Sequence, residues 1–250
     1  MKILVISDIH ANLTALEAVL EDAGDWDSLW CLGDLVGYGP DPNECIQKVR
    51  QIPNSICILG NHDAAALQQI DPDSFNPEAR QAILWTQEAL SPEGIAFLNS
   101  LPQRVNSPQV DSGPALPVTL VHGSPRQPVW EYLLDTHNAA HNFDYFDTPY
   151  CLVGHTHLPV VYVRKESQSL THLLIPEPET ILELTPRAIL NPGSVGQPRD
   201  RDPRASYAVY DSEQNTWHYR RVSYDVEAVQ TRMKTAGLPE RHIRRLALGW

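Results

Sequence analysis

The sequence predicts an α/β protein, and three observations carry that reading. Short apolar runs of strand type (Ile3–Ile6, Leu29–Leu32, Ser55–Leu59) recur and end abruptly in polar or glycine-rich turns. Helical stripes such as Leu13, Leu16, Val19 and Leu20 lie between them. Later runs, Val160–Val163, Ile181–Leu184 and Ala188–Leu190, suggest a second, more antiparallel sheet.

Ile3–Ile6 reads as a strand buried on both faces, and it delivers Ser7-Asp8-Ile9-His10. Asp8 and His10 are two apart, so on an extended chain they share a face and can converge on one ion. Asn12 follows as the N-cap of the first helix, and it also falls beside that pair. The second run ends in Gly33-Asp34, which places a carboxylate at a strand tip, where open α/β sheets bind ligands. Asp41-Pro42-Asn43-Glu44 reads as a helix start with an N-cap acid and a capping-box Glu. The third run ends in Gly60-Asn61-His62-Asp63. Asn61 offers a neutral oxygen ligand, His62 a ring titrating near neutrality, and Asp63 either a helix cap or a site acid.

Residues 71–101 read as helical, with starts at Asn76-Pro77 and Ser91-Pro92, and Ser107–Pro117 as a Pro-, Gly- and Ser-rich loop. Leu116–Val121 resumes a strand and delivers His122-Gly123. The aromatic-rich stretch Gln127–Tyr150 is expected to form packed helices, the alternative being a cap over a ligand site. His137 and His141 lack a third ligand and read as a solvated helix face. Cys151–Val153 leads into Gly154-His155-Thr156-His157, whose two histidines again share a face on an extended chain. Asn191–Asp200 is either a structural turn or a loop whose N–H groups, with Arg199, clamp a phosphate. Two alternating strands, Tyr207–Tyr210 and Trp217–Val222, precede an amphipathic helix over Asp225–Ala236. A final basic helix begins at Pro239, its Arg241, Arg244 and Arg245 read as a solvated face.

At 250 residues the chain is expected to form a single domain, 1–250, the C-terminal helices from residue 225 packed on it. Its net charge of -12 argues against polymeric nucleic acid and anionic membranes as partners, because both need a basic face. Small phosphorylated substrates stay open, since bound metal supplies local positive charge. Cys31, Cys45, Cys57 and Cys151 lack metal-type spacing and read as buried free thiols. No signal peptide or apolar stretch of membrane length is seen, so a cytoplasmic location is expected.

Asp8, His10, Asp34, Asn61, His122, His155 and His157 are all oxygen or imidazole donors standing behind strands. That set suits two divalent ions such as Mn²⁺, Fe²⁺ or Zn²⁺. In order, the blocks D-x-H, G-D, G-N-H-D, H-G and G-H-x-H resemble the calcineurin-like metallophosphoesterase superfamily, its small bacterial phosphodiesterase-like branch most of all. The resemblance implies a four-layer sandwich, two mixed sheets flanked by helices. It implies that Asp8, His10 and His157 hold one metal, that Asn61, His122 and His155 hold the other, and that Asp34 bridges them. His62 would stand by the scissile phosphate, with Asn61, Arg199 and Asn12 near the substrate. A hydroxide held between the metals would attack phosphorus in line. The implied activity is hydrolysis of phosphodiesters or small phosphorylated metabolites. A dinucleoside polyphosphate hydrolase and a non-catalytic scaffold on the same fold are the alternatives. Gly37 and Tyr38 stand where the superfamily's protein phosphatases carry Asp-Arg, so phosphoprotein substrates are not expected.

Overall fold

The apolar runs become strands, and Ser55–Leu59 shortens to Ser55–Cys57, before the polar cluster behind it turns away from the sheet. The computed structural model describes residues 1–110, 113, 115–164 and 170–250. In chain order come β1 (Lys2–Ile6), α1 (Leu13–Asp22), β2 (Ser28–Cys31), α2 (Pro42–Arg50), β3 (Ser55–Cys57) and α3 (Asn61–Ala66). They are followed by α4 (Pro77–Ala89), α5 (Pro92–Asn99), β4 (Arg104–Asn106), β5 (Val118–Val121), α6 (Thr136–Asn142), β6 (Tyr150–Leu152) and β7 (Pro159–Arg164). The remainder holds β8 (Thr171–Leu174), β9 (Ile181–Glu183), β10 (Ala188–Pro192), β11 (Ala205–Asp211), β12 (Thr216–Val222), α7 (Val226–Thr235) and α8 (Glu240–Leu248).

Two six-stranded mixed sheets result, ordered β3-β2-β1-β11-β12-β9 and β4-β5-β6-β10-β7-β8. β1, β2 and β3 run parallel, as do β5, β6 and β10. The expected division of strands changes in two places. Ile181–Glu183 joins the first sheet, where Leu182 pairs with Trp217 and packs on the core between the sheets. The strands carrying His122 and His155 lie in the second sheet.

Ile3, Val5, Trp30 and Leu32 meet Leu120, Leu152, Val161 and Leu190 in the core between the sheets. The other face of the first sheet packs Leu4, Ile6 and Leu29 on Leu16, Val19 and Val49 of α1 and α2. Val121, Cys151 and Ile189 of the second sheet pack on Ala139 and Phe143. Strands buried on both faces explain why their runs are continuously apolar instead of alternating. The order of layers is helix, sheet, sheet, helix, as the resemblance implied. The C-terminal helices add a fourth cluster, with Val229, Met233, Ile243 and Leu246 against Ala79 and Ala82 of α4 and against Tyr38.

Asn12, Asn76 and Ser91 cap their helices through side-chain oxygens, as read from sequence. Asp41 takes the N-cap position of α2 but makes no capping bond. Its carboxylate is held instead by Arg232 of α7, at 2.9 and 3.0 Å, because a charged pair outcompetes a neutral N–H. The stretch Gln127–Tyr150 is helical only over Thr136–Asn142 and a short 3₁₀ turn at Phe143–Tyr145. Of the expected loop Ser107–Pro117, residues 111, 112 and 114 lie outside the described residues. The four cysteines are buried and free. Among the described residues no helix is long and apolar enough to cross a membrane.

Candidate metal centre

All seven candidate ligands follow parallel strands, and the C-terminal ends of β1, β2 and β3 face those of β5 and β6 across the sandwich. Asp8, His10 and His157 form one group: His157 Nε2 lies 3.3 Å from Asp8 Oδ1 and 3.0 Å from His10 Nε2. A second group gathers at His122 Nε2, which lies 3.0 Å from Asn61 Oδ1 and 3.2 Å from His155 Nδ1. Asp34 Oδ2 sits between the groups, 3.6 Å from His10 Nε2 and 3.3 Å from His122 Nε2.

The turns that make this possible are backbone features. Asp8, His10, Asp34, His155 and His157 all adopt φ between +48° and +65°. Non-glycine residues seldom take this left-handed region, and each costs about 1–3 kcal/mol. The expected convergence by alternation on an extended chain therefore does not apply. Asp8 and His10 meet through left-handed turns, while His155 and His157 turn toward different groups.

Backbone carbonyls fix each ring from behind. His10 Nδ1 donates to Val36 O (3.2 Å), His122 Nδ1 to Leu32 O (2.8 Å) and His157 Nδ1 to Gln197 O (2.5 Å). His155 is reversed, its Nε2 donating to Trp130 O (3.1 Å). A carbonyl only accepts, so each neutral ring points an unprotonated nitrogen inward, the tautomer that metal ligation requires. Lone pairs then face each other at 3.0 Å between His10 and His157, and at 3.2 Å between His155 and His122 when His122 is neutral, while the buried oxygens Asp8 Oδ1 and Asp34 Oδ2 have no hydrogen-bond partner. Such a set is stable only around positive charge, so the residues fit divalent cations.

Titration follows the same logic. Burial pushes Asp8 up to about 7. Burial opposes charge on His122 too, but Asp34 and Asp8 outweigh it and raise the ring to about 9, so a proton there stands in for the cation. Burial lowers His10, His155 and His157 well below the ordinary histidine value. Asp34 resists its own burial because His122, His62 and His10 hold it well below the usual carboxylate range.

His62 lies beside these groups, its N–H donating to Asp34 Oδ1 at 2.8 Å. Its ring touches Tyr38 (4.4 Å between centroids), His10 (4.9 Å) and Phe75 (5.1 Å). Nδ1 is buried without a partner, and burial lowers the ring to about 4. Gly37, at φ +97°, passes so close that an added Cβ would stand 2.7 Å from that nitrogen. Thus packing, and no carboxylate, sets the orientation of His62. Asp63 accepts N–H bonds from Gly60 (3.0 Å) and Val36 (3.1 Å), tying the loops that carry Asn61 and Asp34.

Gly60 backs Asp34, and a Cβ there would fall 2.1 Å from its Oδ1. Gly60→Ala should cost about 1–3 kcal/mol by overpacking. At about 2–4 °C per kcal/mol this lowers Tm by roughly 2–12 °C. Unchanged melting in a calorimetric scan would show that the Asp34 loop shifts freely.

The Asn191–Asp200 loop spends its N–H groups inside the protein. Val195 N donates to Ser7 O, Gly196 N to Asp8 O and Gln197 N to Ser194 Oγ. These bonds brace Asp8, so the N–H groups of Val195, Gly196 and Gln197 face the protein and not a ligand. Asn12 is similarly engaged, accepting from Ala15 N (3.1 Å) and donating to Gly196 O (3.0 Å). Arg199 reaches Tyr38, its Nη2 3.3 Å from the phenol oxygen. Tyr132 stacks on His155 at 3.7 Å, and Trp130 lies edge-on to Phe75 at 5.1 Å. Both belong to the stretch whose alternative reading was a cap over the site.

A sequence profile described as the calcineurin-like phosphoesterase superfamily domain matches residues 1–215. The chain belongs to that superfamily. It is 38% identical to an uncharacterized Methanocaldococcus jannaschii protein over 250 residues, 99% of this chain and 98% of the other. A metallophosphoesterase crystal structure from Sphaerobacter thermophilus superposes with a TM-score of 0.86 at 48% identity, covering 100% of this chain and 99% of that one. A symmetrical bis(5'-nucleosyl)-tetraphosphatase of Pectobacterium atrosepticum is 37% identical over 67 residues, 25% of this chain and 24% of that protein.

Proposed function

We propose that this member of the superfamily is a metal-dependent phosphoesterase acting on phosphodiesters or small phosphorylated metabolites. Asp8, His10 and His157 would hold one divalent cation, Asn61, His122 and His155 a second, and Asp34 would touch both. The observation that carries this reading is the pair of inward-facing donor groups sharing one unpartnered carboxylate oxygen. Mn²⁺, Fe²⁺ and Zn²⁺ all accept such nitrogen and oxygen donors. When bound, the cations would supply Lewis acidity, activating water and offsetting charge on the phosphoryl oxygens. His62 would place an imidazole N–H beside the reacting phosphate. The buried carbonyl-anchored rings keep their donor atoms turned inward throughout. A dinucleoside polyphosphate is the second reading of the substrate, favoured by the 67-residue similarity to the tetraphosphatase.

Protein stripped by chelator, with removal verified by elemental analysis, should not hydrolyse an aryl phosphodiester, and Mn²⁺ should restore turnover. Uptake must displace the protons that Asp8 holds at about 7 and His122 at about 9, so reconstitution should be tighter at pH 8 than at pH 6. Activity that persists in metal-free protein rejects the proposal.

A further inference from the structure

One pair of arginines near the metal-type groups has no ion-paired carboxylate among the described residues. Arg199 donates through Nη2 to Tyr38 Oη at 3.3 Å and to Gln197 Oε1 at 3.2 Å. Its guanidinium carbon stands 5.7 Å from the Tyr38 ring centroid, and its buried Nε–H finds no acceptor. The Gln197 side chain is buried as well, and its Nε2 is also without a partner.

Arg245, expected on a solvated face, is instead half-buried at the inner edge of α8, where burial and then repulsion from Arg199 pull its pKa below the ordinary arginine value. Among the described residues neither arginine has a carboxylate within ion-pair distance. Glu78, whose charge reaches Arg245, is paired with Arg241 at 3.4 Å. The neighbouring Arg204 and Arg221, by contrast, each hold a carboxylate.

Two like charges brought together at half-buried positions, with unused N–H donors beside them, are complementary to an anion supplied from outside. Planar guanidinium forks match phosphate in particular. Tyr38 separates this pair from the metal-type groups, its other ring contacts being His10, His62 and His242 of α8. Asp8 and Asp34, the carboxylates on that side, are committed to cations in the functional reading above.

We infer that Arg199, Arg245 and the Gln197 amide form a subsite for a second phosphate group, next to the one that is cleaved. The substrate class is then an ester with at least two linked phosphates, such as a nucleoside polyphosphate. This rests on the phosphoesterase reading for the cleaved phosphate, but the subsite has its own binding signature.

The test compares native protein, Arg245→Gln and Arg245→Lys on diadenosine tetraphosphate and on bis(p-nitrophenyl) phosphate. The ratio of the two kcat/KM values should fall about tenfold or more in Arg245→Gln, chiefly through KM, as expected for one lost charge-assisted contact. Arg245→Lys should recover part of it. In parallel, calorimetry on chelator-stripped protein reads the affinity for inorganic tripolyphosphate, expected to weaken about fivefold or more in Arg245→Gln. An unchanged ratio together with an unchanged tripolyphosphate affinity overturns the subsite. If native protein hydrolyses neither ester while Arg245→Gln still weakens tripolyphosphate, the subsite stands and the phosphoesterase reading falls.

Discussion

Asp34→Asn should fold, lose both cations and turn over at least about 10³-fold more slowly. The substitution preserves shape, and an amide oxygen at Oδ1 still accepts the His62 N–H now bonded at 2.8 Å. What disappears is the negative charge at Oδ2, the atom facing His10 and His122 at 3.6 and 3.3 Å. An NH₂ group there would point hydrogens where the proposed cations would sit. Lewis-acid stabilisation contributes several kcal/mol, and each 1.36 kcal/mol is a decade in rate, hence the size of the expected loss. His157→Ala removes a ligand from the Asp8 group alone and should spare the other ion. Metal stoichiometry by mass spectrometry on both variants decides the matter. Two ions per chain in Asp34→Asn would end the bridging assignment.

The positions of chemistry are legible in the chain itself, because hard ligand types recur behind apolar runs long enough to be buried strands. Asp8, Asp34, Asn61, His122 and His155 all announce themselves that way. Their partition into two groups is not readable from spacing. It depends on left-handed backbone at non-glycine residues, which residue type permits without dictating. The carbonyls of Val36, Leu32, Trp130 and Gln197 carry no side-chain signature at all, although they set the tautomers of His10, His122, His155 and His157. Asp41 misleads through a strong local cap pattern that Arg232, 191 positions away, overrides. Ile181–Glu183 misleads in the same way, since its partner strand β12 follows it by more than thirty residues. Arg245 reads as solvated because only the packing of α8 against the Tyr38 cluster turns it inward. Local patterns therefore show which residues matter, and long-range contacts decide what each one faces.

His62→Ala should keep both ions and lose rate in proportion to how badly the leaving group needs a proton. No donor atom of His62 is anchored to a carbonyl as the four candidate ligand rings are, and its Nδ1 has no partner. Burial lowers the ring to about 4, so in the substrate-free protein it is neutral at pH 7 and its proton sits on a single nitrogen. A phosphate arriving beside it brings negative charge and raises that value, the direction a general acid needs. General acid catalysis typically contributes ~10²–10⁴-fold. An alkoxide leaving from a nucleoside diester needs the proton, whereas p-nitrophenolate departs unaided. The variant should therefore lose ~10²-fold or more on the alkyl diester and far less on the nitrophenyl one. Equal losses on the two would assign His62 to stabilising the phosphoryl oxygens instead. Loss of an ion would make it a ligand, as its proximity to His10 and Asp34 allows. Rate on both esters, read beside metal content, separates the three outcomes.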